Sequence, residues 1–301
     1  MKRILTICTA VILVLVLAAC GSDKDSKKIT VGAKGFTEQF ILGKLTTIML
    51  EENGFTVDEK NNLGSTALRQ ALENKQVDIL WDYTGTALVT YLGQDPIQDG
   101  QEAFKELNDI DQEENGIVWT NLSEVDNTYG VIMRASLADE LGIKTLSDFA
   151  AYLNANPGAL PMATNAEFLN RPDGIPGVEE TYGFEFTNDS VHEMDLGLTY
   201  SALNDEEVDA SVGTATDSRI VDFDLVILED DKGFFPAYNA AIAMTTETYE
   251  KYPEIEEIFE PLQKLLDSDT MRELNYKVDI EDQNETDVAR EFLIENNLIE
   301  K

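Results

Sequence analysis

Between Ile29 and Trp81 the chain alternates short apolar runs with amphipathic ones, and this alternation restricts the possible folds more than any other feature. Ile29-Thr30-Val31-Gly32 reads as a strand. A Gly-containing turn then leads into a segment with Phe40, Ile41, Leu45, Ile48 and Met49 at helical spacing, closed by Asn53-Gly54. Phe55 to Val57 begins a second strand. Gly64-Ser65-Thr66 supplies an N-cap for a helix turning Leu68, Ala71 and Leu72 inward, and Val77 to Trp81 is a third, apolar strand. The order β-α-β-α-β favours a mostly parallel sheet covered by helices, with ligands bound beyond the carboxyl ends of the strands.

A second run predicts another α/β lobe. It comprises a strand at Tyr129 to Met133, a helix from Thr145 to Leu153, the segment Pro161 to Thr164, a Pro/Gly-rich loop from Asn170 to Gly177, and Val208-Asp209-Ala210. Leu225 to Leu228 and Ala240 to Met244 are further strand candidates, and Ile255 to Leu266 and Asp287 to Glu295 read as helices with an apolar stripe. The expected class is α/β with two lobes.

The start of the chain has a separate purpose. Lys2 and Arg3, the apolar run from Val11 to Leu17, and Leu17-Ala18-Ala19-Cys20 read as a lipoprotein signal peptide over residues 1–19, cleaved before a lipid-bearing Cys20. An apolar run this short does not span about 30 Å of hydrocarbon. Residues 20–28, small and charged, read as a lipidated tether, with the fold starting at Ile29. Cys8 and Cys20 are the only cysteines, so the rest of the chain has no disulfide, thiolate nucleophile or sulfur metal site.

Charge and chemistry narrow the function. A formal net charge of −36 disfavours nucleic acid and anionic lipid as partners. His192 is the only histidine and lies in an acidic stretch, so a histidine metal cluster or a Ser-His-Asp relay lacks parts. We expect His192 at the surface, and no enzyme activity, metal or cofactor. Carboxylates are numerous, and composition alone leaves a carboxylate-pair hydrolase open. The distinctive local pattern is Trp81-Asp82-Tyr83-Thr84-Gly85-Thr86, at a strand end where a helix with Leu88 and Val89 begins. The hydroxyls of Thr84 and Thr86, with free N–H groups of a helix start, suit an anionic group such as a carboxylate, and Tyr83 can turn a ring face to the same cleft. Gly35-Phe36-Thr37-Glu38-Gln39 occupies the equivalent junction of the first unit, where Lys34 and Gln39 offer donors.

Five motifs carry a resemblance: Gly32-Ala33-Lys34-Gly35-Phe36-Thr37-Glu38-Gln39, Asp82-Tyr83-Thr84-Gly85-Thr86, Asn127-Thr128-Tyr129, Thr216-Asp217-Ser218-Arg219-Ile220 and Phe234-Phe235-Pro236-Ala237-Tyr238. In this order, from about Ile29 onward, the chain resembles the substrate-binding proteins of osmoprotectant ABC importers, the glycine betaine/carnitine/choline-binding lipoproteins. The resemblance implies a type II periplasmic-binding-protein fold that closes on a compatible solute and passes it to a membrane permease driven by an ATPase, without chemistry of its own. It implies lobe I at residues 29–128 and 233–301 and lobe II at 129–232. It also implies a monomer held by lipid at the outer face of the cytoplasmic membrane.

In that family a cage of tyrosine rings surrounds a trimethylammonium head, which cannot donate hydrogen bonds and is held by ring faces. Tyr83, Tyr129 and Tyr238 match cage positions. Thr214 stands where many relatives have a fourth tyrosine, leaving a gap for Tyr200 or another side chain to fill. Gln39 and Thr86 match positions that hold a ligand carboxylate, as do Lys34 and Arg171, the latter in Phe168-Leu169-Asn170-Arg171-Pro172-Asp173-Gly174. Two other readings of the same sequence are a surface-anchored receptor or adhesin that keeps the fold without transport, and an acidic-residue hydrolase.

Overall fold

The computed structural model of the protein describes residues 27–187 and 189–300. The signal peptide, Cys20 and the tether up to residue 26 lie outside the described residues. In chain order the elements are β1 (Lys27–Lys34), α1 (Thr37–Glu52), β2 (Phe55–Leu63), α2 (Ser65–Glu73), β3 (Ile79–Tyr83), a π-helical turn (Thr86–Tyr91), α3 (Gly100–Asn115), β4 (Ile117–Thr120) and β5 (Tyr129–Arg134). There follow α4 (Ala135–Leu141), α5 (Leu146–Ala155), β6 (Met162–Thr164), α6 (Ala166–Asn170), α7 (Ile175–Tyr182), β7 (Val191–Glu193), α8 (Leu196–Asn204), β8 (Ala210–Thr214), α9 (Arg219–Asp222) and β9 (Leu225–Ile227). The chain closes with β10 (Ala240–Thr245), α10 (Thr246–Lys251), α11 (Glu254–Gln263), α12 (Ser268–Asp279) and α13 (Glu285–Glu295).

Two five-stranded sheets result, ordered β2-β1-β3-β10-β4 and β7-β6-β8-β5-β9. Each is parallel through its first three strands. Contrary to the mostly parallel expectation, β10 runs antiparallel to β3 and β4, and β5 runs antiparallel to β8 and β9. These two are the strands that the chain enters directly after crossing from one sheet to the other, so they arrive from the opposite end. The two crossovers lie side by side: Asp126 bridges Asn239, and the Asn127 N–H donates to the Tyr238 carbonyl at 3.2 Å.

Local chemistry explains most elements. α1 buries Ile41, Leu45, Ile48 and Met49 as its spacing predicts, whereas Phe40 is turned to the space between the sheets. α5 starts with a reciprocal capping box, the Thr145 hydroxyl accepting from the Asp148 N–H and the Asp148 carboxylate from the Thr145 N–H. Three expectations need correction. Lys27 and Lys28 belong to β1, opposite Phe55 and Thr56, because the strand ladder continues through them, so the fold begins before Ile29. The loop predicted to run to Gly177 ends at Gly174, because Pro176 sits in the first turn of α7, where its missing N–H costs nothing. The cap of α2 is Gly64, and the Ser65 hydroxyl is used elsewhere. His192 lies exposed on β7.

One apolar cluster runs from Ile29, Trp81 and Ile242 of the first sheet through Tyr238, Phe235 and Phe168 to Met133, Met162 and Val212 of the second. The sheets therefore share a continuous core at the base of the cleft between them. Among the described residues no helix is long and apolar enough to cross a membrane.

Candidate functional site

The cleft has a volume of about 1010 Å³ and takes its walls from both sheets and both crossovers. β3 ends at Tyr83, and the chain turns at once into the π-helical segment that carries Thr86. Gly85 makes that turn possible, since a Cβ there would lie 2.7 Å from Pro236 and 2.8 Å from the Ala237 carbonyl of the second crossover. Tyr129 opens β5 at the end of the first crossover, and Tyr238 lies within the second. Their rings meet edge to face, centroids 5.7 Å apart at 85°, forming two walls of a box. Phe168 backs Tyr129 at 5.2 Å, and Phe36 stacks on Tyr83 at 6.3 Å and 22°.

Two of the three hydroxyls are anchored. Tyr238 donates to Asp173 Oδ2 at 2.6 Å and Tyr83 donates to Glu38 Oε1 at 2.6 Å. Burial, with Glu38 beside it, raises Tyr83 well above the ordinary phenol range; burial and Asp173 do the same to Tyr238, and burial pushes Tyr129 up to about 12. All three rings therefore stay neutral phenols at physiological pH, presenting faces rather than phenolate charge.

Of the sequence-predicted residues, Lys34, Tyr83, Thr86, Tyr129, Arg171, Thr214 and Tyr238 line the cleft. Gln39 does not reach it: the side chain is buried behind Tyr83, donating to the Tyr83 hydroxyl at 3.1 Å and accepting from the Lys34 N–H at 3.3 Å. Gln39 is thus a support and not a ligand contact in this arrangement. Tyr200 does not fill the gap at Thr214. It is buried beneath β8, its hydroxyl accepting from the Thr214 N–H at 2.8 Å, with the Arg219 guanidinium 4.6 Å from its ring centroid.

The cations are already engaged. Lys34 pairs with buried Asp82 while its ammonium lies 5.1 Å from the Tyr83 ring centroid. Arg171 is bidentate on Asp173, reaches Thr86 Oγ1 at 3.2 Å and lies 5.5 Å from the Tyr129 ring centroid. Among the lining residues Lys34, Arg171 and Arg219 face six acids, Glu38, Glu167, Glu193, Asp195, Asp217 and Asp279. The cleft as a whole is acidic and suits a ligand with a positive end, while Thr86 and Arg171 form one spot that suits a carboxylate.

Sequence reasoning missed the groups that tie the sheets together. Glu167 of α6 accepts from the Ser65 N–H at 2.5 Å and the Ser65 hydroxyl at 2.7 Å, at the start of α2. Burial alone would raise Glu167, but Lys34, the Ser65 bonds and Arg171 outweigh it and hold the carboxyl below its usual range. Arg219 lies 3.4 Å from Asp279 across the other side of the cleft. The Ser65–Glu167 pair joins residues 102 positions apart and the Arg219–Asp279 pair also reaches far along the chain; Ser65 and Arg219 stood inside quoted segments, whereas Glu167 and Asp279 left no trace in the sequence.

Two α/β lobes joined by paired crossovers, with a polar cleft lined by aromatic rings between them, define a substrate-binding protein of the periplasmic-binding-protein fold. A solved structure described as a glycine betaine/carnitine/choline ABC transporter matches it with a TM-score of 0.71 and 29% identity, over 91% of this chain and 99% of that one. The chain belongs to the OpuAC family, the substrate-binding domain of ABC-type glycine betaine transport systems, which it matches over residues 27–295. It is 39% identical to the glycine-betaine-binding protein of Pseudomonas aeruginosa over 281 residues, 92% of this chain and 90% of that protein. It is 34% identical to the carnitine transport binding protein OpuCC of Listeria monocytogenes over 284 residues, 93% of this chain and 90% of that one. The family is a transport component that binds substrate and performs no catalysis.

Proposed function

We propose that this protein captures quaternary ammonium compatible solutes such as glycine betaine, carnitine and choline in the cleft between its lobes and delivers them to a membrane permease powered by an ATPase. The observation that supports this most is that the rings of Tyr83, Tyr129 and Tyr238, from one lobe and both crossovers, line one cleft, with Tyr129 and Tyr238 edge to face. A trimethylammonium group cannot donate a hydrogen bond, so neutral ring faces in an acidic cleft are its natural receptor, at roughly 0.5–2 kcal/mol per well-placed ring. The solute carboxylate is then placed against Thr86 and Arg171, while Lys34 stays paired with Asp82.

Lobe I is assigned to residues 29–128 and 233–301 and lobe II to 129–232, the crossovers serving as the hinge. Closure is favourable only when the ligand touches both lobes, as a solute between Tyr83 and Arg171 does. The protein acts as a monomer outside the cytoplasmic membrane, held by a lipid on Cys20.

Calorimetric titration of the purified protein with glycine betaine, carnitine, choline and proline betaine tests the proposal. Micromolar binding of at least one supports it, and absence of binding to all four rejects it.

A further inference from the structure

The floor of the cleft holds a carboxylate that the tyrosine box leaves unexplained. Glu38 is 2% exposed and lines the cleft. Its Oε1 receives the Tyr83 hydroxyl at 2.6 Å and Asn127 Nδ2 at 2.9 Å, and its Oε2 receives Asn275 Nδ2 at 3.5 Å. Asn127 is oriented by Thr216, whose hydroxyl donates to Asn127 Oδ1 at 2.9 Å, and Asn275 by its second bond to the Thr216 carbonyl at 3.0 Å. Every contact to Glu38 is therefore from a donor, the bonding pattern of an ionised carboxylate. All three donors are uncharged. A buried carboxylate without a cationic partner is costly, and folds keep one where something supplies the missing charge.

The hydroxyl proton of Tyr83 has one possible direction. Gln39 Nε2, which can only donate, reaches the same hydroxyl at 3.1 Å, so the oxygen accepts from Gln39 and gives its own proton to Glu38. A phenol donating to a carboxylate gains negative charge in its ring, and the attraction of the ring face for a cation rises with it. The nearby Lys34 ammonium does not cancel this, because it is neutralised by its own partner, Asp82.

We infer that Glu38, acting through the Tyr83 hydroxyl, is the counter-charge that makes the cleft select a cation over an uncharged group of the same shape. This rests on the tyrosine-box reading above. Glu38 is a positioning residue: it polarises the ring that touches the ligand and need not touch the ligand itself.

The test compares glycine betaine with 3,3-dimethylbutanoate, which replaces the ammonium nitrogen by carbon and keeps shape and carboxylate. Both probes are titrated into the wild-type protein, Glu38→Gln, Tyr83→Phe and the double variant. Glu38→Gln should weaken glycine betaine about tenfold, the scale of a desolvated cation–π contact, while 3,3-dimethylbutanoate changes by less than about twofold. Tyr83→Phe keeps the ring and removes the relay, so it should lower the same selectivity ratio, and the double variant should be about as weak as the weaker single variant. If Glu38→Gln fails to fold, the selectivity ratio of Tyr83→Phe alone decides. Equal weakening of both probes, an unchanged ratio in Tyr83→Phe or full additivity in the double variant overturns the role of Glu38 and leaves the box standing. Failure of the wild-type protein to bind glycine betaine overturns the box and this inference with it.

Discussion

At the residue scale, the rings are the parts most open to test. Tyr83→Ala and Tyr238→Ala should each weaken glycine betaine by more than about tenfold, losing a ring face and its packing. Tyr276→Ala, at a 39% exposed ring, should leave affinity unchanged, and calorimetry on the three variants checks the pattern. Tyr182 is a poorer control, because it is buried and bonded to Asp230 in lobe II. Thr214→Tyr should restore a fourth face and tighten glycine betaine by severalfold, about 0.5–2 kcal/mol, in the same titration. Acid should loosen the ligand. Burial raises Glu38 above the usual carboxylate range, opposed by the bonds it accepts from Tyr83, Asn275 and Asn127, so affinity should fall as pH drops through that raised value and the carboxylate is neutralised. Through the same group the fold itself gains stability in acid, because a raised native pKa favours the protonated folded state and this contribution is lost as pH rises. The packed elements also carry charged groups, among them Lys34 of β1, Asp82 of β3 and Asp279 of α12, the last also raised by burial; comparing the pH profile of Glu38→Gln with that of the wild type isolates Glu38. The three cleft-lining tyrosines were legible because each sits in a short motif at a junction. Glu38 was spelled out in one of those motifs and still missed, because its meaning depends on a hydroxyl arriving from 45 positions away.

At the element scale, α2 and α3 are joined by a buried ion pair. Arg69 is bidentate on Asp111, both bonds near 2.5 Å, and Trp119 Nε1 donates to the same carboxylate at 2.7 Å. Asp111→Ala strips the buried Arg69 guanidinium of its bidentate partner, leaving it only Glu73 at the surface, and should destabilise the protein by up to roughly 3 kcal/mol, read from the midpoint of chemical unfolding, with no change at the cleft. Elements with a clear apolar stripe, such as α1 and α13, could be read from sequence to within a few residues. α3 could not: its sixteen residues bury only Ala103, Leu107 and Asp111, and a stripe that includes an aspartate does not read as apolar. α7 was mistaken in part for loop because proline and glycine there mark a helix start and not its absence. The reversal of β5 and β10 was illegible for a different reason, since strand direction depends on which lobe the chain has just left.

At the scale of the whole molecule, the lobes hold each other through a helix cap supplied from the other side. Gly64 has no side chain with which to cap α2, and Glu167 does so across the cleft. Glu167→Ala should shift the protein toward an open form and weaken solute binding by a few-fold to about thirtyfold, the scale of losing a cap worth 0.5–2 kcal/mol. Small-angle scattering with and without glycine betaine should show a larger radius of gyration for the ligand-free variant than for the ligand-free wild type. That contact has a practical use. Ser65 and Glu167 move apart whenever the lobes part, and no residue after Cys20 is a cysteine. In a version starting after Cys20, a thiol introduced on each side, away from the bonded atoms, would be the only pair available to a fluorescent label. Such a pair would turn the concentration of an osmolyte into the brightness of a dye.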